Sequence, residues 1–294
     1  MRQPDLFISA FVDAASRDQR DTMEYPFYAL THNQKKPIRY YRDGVKVEVF
    51  PAVDHSLVSI HDWDFVQWIM SQLNAAIEAG DTTPSNWVEF SPAEFIIQTA
   101  RAKSGKASGK HYIEFKAMID RLSGTYYSTS IESDQGKTVG RKFHLINDVK
   151  FMEDEVGRPV RWRVQICDWL YNKVVYERSV LSIDERYFTI RKGIVRKIYL
   201  WARKFAGTDH ATWPLRKLWE QSGSTASYRK FRENLIRALE SDAAKIPEYE
   251  VWVFQTAKKE WRIMFQIREG ALALRQAPRH VRRVTGQPGT TANG

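Results

Sequence analysis

The chain has 294 residues, of which 43% are hydrophobic and 13% aromatic, so it can bury the cores of two domains of ordinary size. This composition excludes disordered, collagen-like and low-complexity proteins. No apolar run reaches the roughly 18 residues of a membrane-spanning helix, and the first residues lack a secretory signal, so we expect a cytoplasmic protein without a membrane partner. The single cysteine, Cys167, can form neither an internal disulfide nor a zinc knuckle.

The net charge of +10 is concentrated in the second half of the chain. From Glu185 onward there are 22 basic and 10 acidic residues, against 23 basic and 25 acidic residues before it. Lys and Arg displace the counterions that condense on a nucleic acid, so this asymmetry favours phosphate binding. A basic surface that serves only solubility would give the same count.

The first part of the chain predicts a tail, a strand and a hairpin. Residues 1–22 are polar and aperiodic and are expected to form a flexible N-terminal tail, followed by a strand at residues 23–30. Asp43-Gly44 is the strongest short turn signal in the chain. It predicts a β-hairpin between Ile38–Arg42 and Val45–Phe50.

Three helices and a second hairpin are predicted next. Asp62 is the expected N-cap of the first helix, whose apolar residues recur every four positions. Ser91-Pro92-Ala93-Glu94 is a capping box that begins the second helix. A loop of glycine, lysine and serine at residues 103–110 leads to the third helix at residues 111–122, and the hairpin follows at residues 125–146.

The same order recurs in the second half. A long helix with one apolar face comes first, Pro214 opens a shorter helix that Gly223 closes, and Ser224-Thr225-Ala226-Ser227 caps a third helix. Residues of alternating character at Tyr249–Gln255 and Trp261–Ile267 predict a hairpin after it. The repeat lies in the order of the elements and not in residue identity.

Three helices followed by a hairpin is the layout of a winged helix-turn-helix domain, whose third helix usually occupies the DNA major groove. The sequence therefore predicts an α+β protein with two tandem winged helix-turn-helix domains. The expected segments are a flexible tail at residues 1–22, a first winged-helix domain at 23–182, a second at 183–276 and a disordered basic tail at 277–294.

The third helix of the second domain carries the main DNA-binding candidates. Arg229 and Arg232 are expected to read base edges, because arginine on guanine is the commonest specific contact and the N-terminal residues of such a helix usually reach the bases. Further hydroxyl, phenol and cationic groups around this helix and at the hairpin tip are expected to contribute to DNA binding, in part through phosphate contacts: Ser224, Thr225, Tyr228, Lys230, Arg237, Lys258 and Lys259. The alternative is that these charges only solvate a surface helix.

The first domain offers a second, weaker set of DNA-binding candidates. Lysines in a glycine-rich loop favour phosphate contacts over base reading, although a flexible solvated loop explains them equally well. The candidates are Lys103, Lys106 and Lys110 in the loop and His111, Lys116 and Arg121 on the third helix.

Other chemistries are disfavoured. The segment at residues 105–111 has three residues between its glycines and a histidine after its lysine, unlike a phosphate-binding loop. Glu153-Asp154-Glu155 is better explained as a solvated loop than as a metal site. Tyr126 and Tyr127 resemble the nucleophile of a DNA-nicking enzyme, but without a paired His-x-His motif they are more simply strand residues. We expect no cofactor, no metal and no enzymatic activity.

Several strings, in order along the chain, resemble the replication initiator protein A family of bacterial plasmids. They run from residue 4 to about residue 204, and their ordered spread is more specific than any one of them. The strings are Pro4-Asp5-Leu6-Phe7, Met23-Glu24-Tyr25-Pro26-Phe27-Tyr28-Ala29-Leu30, Leu122-Ser123-Gly124-Thr125, Asp168-Trp169-Leu170-Tyr171-Asn172, Tyr187-Phe188 with Arg191-Lys192, and Leu200 with Ala202-Arg203-Lys204.

The resemblance implies a plasmid replication initiator that binds double-stranded DNA at repeated origin sites and often represses its own gene. It further implies recruitment of the host initiator and helicase, and homodimerisation through the N-terminal domain. A winged-helix transcriptional repressor without a replication role is the alternative function. A DNA-nicking enzyme is a third, which would need Tyr126 or Tyr127 as its nucleophile.

Overall fold

The computed structural model describes residues 7–8, 14–99, 101, 105–134, 137–157 and 159–271, and these ranges form helices and four β-sheets. The helices are α1 (Arg20–Glu24), α2 (Trp63–Glu78), α3 (Pro92–Gln98), α4 (Gly109–Gly124), α5 (Asp168–Val175), α6 (Gly193–Phe205), α7 (Leu215–Glu220) and α8 (Tyr228–Asp242). The strands are β1 (Phe7–Ile8), β2 (Arg17–Gln19), β3 (Ile38–Arg42), β4 (Val45–Phe50), β5 (Trp87–Phe90), β6 (Tyr126–Asp134), β7 (Lys137–His144), β8 (Ile146–Glu153), β9 (Pro159–Ile166), β10 (Val180–Ser182), β11 (His210–Pro214), β12 (Tyr249–Gln255) and β13 (Trp261–Ile267).

Two sets of elements follow one another in the same order. The first unit consists of α2, β5, α3, α4, β8 and β9, and the second unit of α6, β11, α7, α8, β12 and β13. Their sheets also share one strand order, β5-β9-β8 in the first unit and β11-β13-β12 in the second, with every pair antiparallel. The predicted mixture of helix and sheet is confirmed.

The hairpin predicted at residues 125–146 forms, but it belongs to another sheet than expected. Strands β6 and β7 extend the N-terminal hairpin into the sheet β3-β4-β6-β7, and the hairpin that joins β5 is β8–β9. The sequence pattern did not reveal β8, because its mixed polar and apolar residues lack a clear alternation and include the exposed side chains of Phe151 and Met152. Of the acidic triplet, Glu153 ends β8, and the turn begins after it.

The prediction of a flexible tail is wrong for residues 14–22. Strand β2 pairs with β10, and Asp18, Gln19 and Thr22 are buried. The strand expected at residues 23–30 is also wrong. The side chain of Gln19 accepts hydrogen bonds from the next backbone N–H groups and starts α1, and irregular chain follows this helix. The predicted basic tail at residues 277–294 lies outside the described residues.

Asp62 stands at the start of α2 but does not cap it. Its carboxylate accepts hydrogen bonds from the backbone N–H of Ser59 at 2.8 Å and from Arg121, whose Nη2 and Nε lie 2.7 and 3.0 Å away. Burial alone would raise the pKa of Asp62, but the bonds from Arg121 hold it below its usual range. Arg121 thus faces the interior, which corrects its assignment as a DNA-binding candidate.

A buried ion pair joins the two units. Arg196 on α6 donates to Asp64 on α2, and their side chains are 4% and 3% exposed. The same guanidinium donates to the carbonyl oxygens of Ile190 at 2.7 Å and Phe188 at 2.9 Å, while Arg101 lies 3.4 Å from the other oxygen of Asp64. Removing one partner of such a pair costs about 3–5 kcal/mol, because the other charge stays buried.

A second buried polar cluster lies beside it. Asp18 accepts hydrogen bonds from Gln67 at 2.8 Å and Trp63 at 3.2 Å, and burial raises its pKa to about 6. Lys197 on α6 donates to the carbonyl oxygens of Thr22 and Tyr25, each at 3.1 Å, and burial lowers its pKa to about 7. Helix α6 is therefore anchored to the N-terminal segment by polar groups that water does not reach.

Gly193, the first residue of α6, sits directly against the segment that precedes α2. A Cβ atom there would lie 2.0 Å from the carbonyl oxygen of Leu30 and 2.9 Å from Ile60. Backbone cannot move aside as a flexible side chain can, so only glycine fits this contact.

We predict that Gly193→Ala lowers the free energy of unfolding by about 1–3 kcal/mol or more, the cost of overpacking a core. Gly109→Ala is the matched control, because Gly109 also begins a helix and a Cβ there meets nothing within 4 Å. Urea denaturation of both variants measures the difference. Equal stability of the two variants would contradict the close contact at Gly193.

We predict that Asp18 makes stability fall as pH rises from 4 to 6. Its pKa is raised from 3.8 to about 6 in the folded chain, so the stabilisation of its neutral form is complete below pH 4 and is lost as pH rises through 6. The whole shift corresponds to about 3 kcal/mol, at 1.36 kcal/mol per pH unit.

Asp18→Asn removes this titration. The Oε1 atom of Gln67 finds no donor among the described residues, so a flip of that amide can satisfy the new side chain. The difference in unfolding free energy between wild type and variant should therefore change by about 2 kcal/mol between pH 4 and 6, because the rest of the roughly 3 kcal/mol falls outside that range, and urea denaturation across the range measures it. Parallel pH profiles would show that Asp18 titrates normally.

Candidate nucleic-acid interface

Helix α8 begins at a tight turn after α7. Gly223 has a φ of 68°, a left-handed conformation that favours glycine, and the Oγ of Ser227 accepts from the N–H of Lys230 at 3.4 Å. The predicted core positions Phe231, Leu235 and Leu239 are buried. The remaining positions of α8 are thereby available for contacts outside the core.

The N-terminal half of α8 presents cations. The side chain of Arg229 is 81% exposed and lies 3.8 Å from Glu233, one helical turn further on, and Lys230 is also exposed. Arg232 is half-buried, and its guanidinium lies 5.1 Å from the ring centre of Trp261 on β13. Stacking on the hairpin holds Arg232 in one direction, whereas Arg229 extends into solvent.

Tyr228 joins α8 to α7. Its ring packs against Trp219 with centroids 5.9 Å apart, and the guanidinium of Arg216 lies 4.6 Å from its centre. Arg216 is exposed and is a candidate that sequence analysis missed. Its position between the buried Leu215 and Leu218 was the available signal, because it must point outward on α7.

The remaining predicted residues of the second unit lie around these cations. Thr225 is exposed, and the Oγ of Ser224 accepts from the N–H of Ala226 at 3.2 Å. Lys258 and Lys259 are exposed in the turn between β12 and β13. The second unit thus has exposed polar or cationic side chains at three places: the turn before α8, the start of α8 and the tip of the hairpin β12–β13.

Arg237 faces another direction from Arg229. It lines a cleft of about 400 Å³ together with Leu30 and Ile194, between α8, the start of α6 and the segment that precedes α2. Arg237 therefore belongs to the side of α8 that faces the start of α6 and the segment that precedes α2.

Two DNA-binding candidates of the first unit, His111 and Lys116, make contacts within that unit. Nδ1 of His111 accepts from the N–H of Ser108 at 3.1 Å and helps to begin α4. Lys116 Nζ lies 2.5 Å from Glu153 and donates to the carbonyl of Gly157 at 3.2 Å, which ties α4 to the hairpin β8–β9. These two side chains are held by the unit itself.

The exposed face of α4 differs from that of α8. Lys110 is exposed and lies 3.8 Å from Glu114, and Ile113 between them is 71% exposed. Lys106 is exposed in the preceding loop, and Lys103 lies outside the described residues. The second unit therefore carries the stronger candidate surface for nucleic acid.

The alternative catalytic residues are poorly placed for chemistry. Tyr127 is fully buried, and burial raises the pKa of its phenol well above the usual range. Tyr126 packs between Phe50 and His144. Across the described ranges, acidic, histidine and cysteine side chains do not form a cluster of three or more that could hold a metal ion.

Within the described part of the chain, every helix is too short or too polar to cross a membrane.

Comparison with known proteins identifies relatives across most of the chain. The profile of a family described as replication initiator protein A matches residues 17–251. A protein of Wigglesworthia glossinidia brevipalpis, named "Putative replication protein", is 32% identical over 251 residues, which are 84% of this chain and 86% of that protein. The predicted family resemblance is confirmed.

Two solved structures of domains 2 and 3 of RctB have a similar fold. One superposes with a TM-score of 0.58 over 84% of this chain and 98% of that chain, and the other with 0.51 over 87% and 99%. Sequence identity is 11% in both, so the likeness concerns the fold alone. The family match and the relative, in contrast, support a role in the initiation of replication. The chain belongs to the replication initiator protein A family.

Proposed function

We propose that the protein initiates plasmid replication by binding double-stranded DNA sequence-specifically at its origin, with helix α8 in the major groove. The observation that carries this proposal is the exposed cationic start of α8, which follows α7 through a tight turn and precedes the hairpin β12–β13. Helix, strand, two helices and a hairpin is the order of a winged helix-turn-helix domain, and the first unit repeats it.

In this proposal, the arginines of α8 contact the base edges. The side chain of Arg229 is 81% exposed and can extend past its contact with Glu233 to a guanine edge, while stacking on Trp261 orients Arg232. Lys230, Arg216 and the two lysines at the hairpin tip are suited to phosphate oxygens, which position the protein without reading sequence.

The first unit has a different role. Its third helix presents Ile113 and has Lys116 tied to Glu153, which supports protein contacts, including homodimerisation, more than base reading. Lys106 and Lys110 remain as phosphate contacts. Recruitment of the host initiator and helicase and repression of its own gene complete the proposed role in the bacterial cytoplasm. The protein needs no enzymatic activity or cofactor of its own for these steps.

We predict that Arg229→Ala weakens binding to the selected site by about 1–3 kcal/mol and relaxes the preference at one base position. The site is first obtained by selecting bound duplexes from a random pool at about physiological salt and sequencing them. Arg178→Ala is the matched control, because Arg178 is exposed in the turn after α5, outside the proposed interface. Equal loss on every sequence would assign Arg229 to the phosphates, and failure to select any motif would contradict sequence-specific binding.

We predict that the protein leaves supercoiled origin DNA intact in the presence of magnesium. The phenol of Tyr127 is buried and the ring of Tyr126 is packed between two others, so neither is presented to a phosphodiester. Gel electrophoresis with and without protease treatment detects relaxed circles and covalent adducts. A relaxed or protein-linked product that disappears in Tyr126→Phe would instead establish a nicking enzyme.

A transcriptional repressor with the same fold would bind equally well in these assays. Maintenance of a plasmid that carries the origin distinguishes the two functions, because only an initiator is needed for it.

A further inference from the structure

The turn that leads into α8 packs against strand β3, which lies outside the second unit. A Cβ atom on Gly223 would lie 3.0 Å from Ile38 and 3.1 Å from Pro26. Next to it, the buried Gln221 donates to Glu24 at 3.3 Å, which ties the turn to the end of α1. The start of α8 therefore has a fixed position relative to β3.

Two ion pairs continue this contact along α7. Arg42 at the end of β3 lies 3.3 Å from Glu220, and Lys217 lies 3.9 Å from Asp43 in the turn after the strand. Both pairs involve exposed groups and contribute little energy individually. The pair with Arg42 neutralises the carboxylate of Glu220.

A cleft of about 460 Å³ runs between β3 and the turn before α8. Residues 36–42 form one wall, and Trp219, Glu220 and residues 223–226 form the other. Strand β3 is at the edge of the sheet β3-β4-β6-β7, so the side that faces away from β4 has no partner strand in that sheet. The cleft thus combines a free strand edge with the hydroxyl-bearing turn.

The cleft is positively charged. Its lining contains three cations, Lys36, Arg39 and Arg42, and one carboxylate, Glu220, which Arg42 already engages. Lys36 and Arg39 are exposed. Arg39 lies over the ring of Phe50 and opposite Glu48, whose carboxylate is itself held by Lys46 at 2.7 Å. Arg39 alternates along β3 with the buried Ile38 and Tyr40, so it lies on the opposite face of the strand, and its charge joins that of Lys36 at the exposed edge of β3.

We propose that this cleft holds the phosphate backbone of the DNA that α8 reads, so that Lys36 and Arg39 complete a site shared by both parts of the protein. This inference rests on the proposed function. A helix in the major groove, which is about 12 Å wide, has a sugar-phosphate strand on each side of it. A cationic wall fixed beside the start of α8 therefore meets one of those strands, and it contributes affinity and orientation without reading sequence.

The test compares Lys36→Ala/Arg39→Ala with Lys142→Ala/Arg178→Ala, which removes two exposed cations outside the cleft. Binding of the full chain to the selected duplex and to a scrambled duplex is measured over a range of salt concentrations. Loss of two phosphate contacts lowers the slope of log K against log salt by about 1.8. We expect this change, with unaltered base preference, for the cleft variant and a smaller one for the control.

A second measurement locates the cleft on the DNA. Lys36→Cys allows an iron chelate that cleaves nearby DNA to be attached there, because the chain's single natural cysteine, Cys167, is buried. Cleavage should fall on the backbone beside the bases that Arg229 specifies. The same chelate on Lys142→Cys is the control and should give no localised cleavage.

The outcomes separate this inference from the proposed function. If the wild type selects no motif, the proposed function fails and the inference with it. If the wild type selects a motif but the cleft variant matches the control and the chelate at position 36 gives no localised cleavage, only the inference is overturned. The cleft would then be left to another occupant, such as an extended peptide along the edge of β3.

Discussion

The close contact between the second unit and the residues that precede the first unit determines the arrangement of the whole molecule. At Gly193 the start of α6 meets the backbone of Leu30, and at Gly223 the turn before α8 meets Pro26 and Ile38. In both places the space for a side chain is occupied. Any displacement of the second unit must therefore break two contacts at once, one at the start of α6 and one in the turn before α8, and the direction of α8 follows from them.

Buried charges reinforce the same contact. Arg196 and Lys197 are neighbours on α6, yet one meets Asp64 on α2 and the other meets the segment that contains Thr22 and Tyr25. Buried ion pairs contribute little net stability because both charges lose their hydration. They do penalise every docking geometry that leaves a charge without its partner, so they select one orientation of α6.

The sequence predicts those parts of the fold that local pattern controls. The apolar faces of α2, α4, α6 and α8 recur at helical spacing, and Asp43-Gly44 has the positive φ values that its hairpin turn requires. Pairing between strands that are far apart in the sequence is not predicted by local pattern. Strand β5 has four residues, three of them buried, and its partner β9 begins about 70 positions later, so neither alternation nor a turn signal marks the pair.

Some residues of the candidate site are likewise predicted by local pattern, and others are not. The exposed positions of α8 follow from its core residues, which a helical pattern identifies. Arg121 was misassigned because a charge on a helix ordinarily points outward, and its partner Asp62 is 59 positions away. Lys36 and Arg39 could not be found from the sequence, since they meet the turn before α8 only through the folding of segments about 190 residues apart.

The shared core also bears on how the chain unfolds. A cut near residues 181–185, between the two units, would leave Asp18 and Asp64 on one fragment and Arg196 and Lys197 on the other, all four buried in the intact chain. It would also separate β10 from the start of α6. Separated fragments would expose the surfaces on which Arg196 and Lys197 lie, and these two cations would lose the groups that they meet in the intact chain. The two units are therefore repeats in topology that share one hydrophobic core.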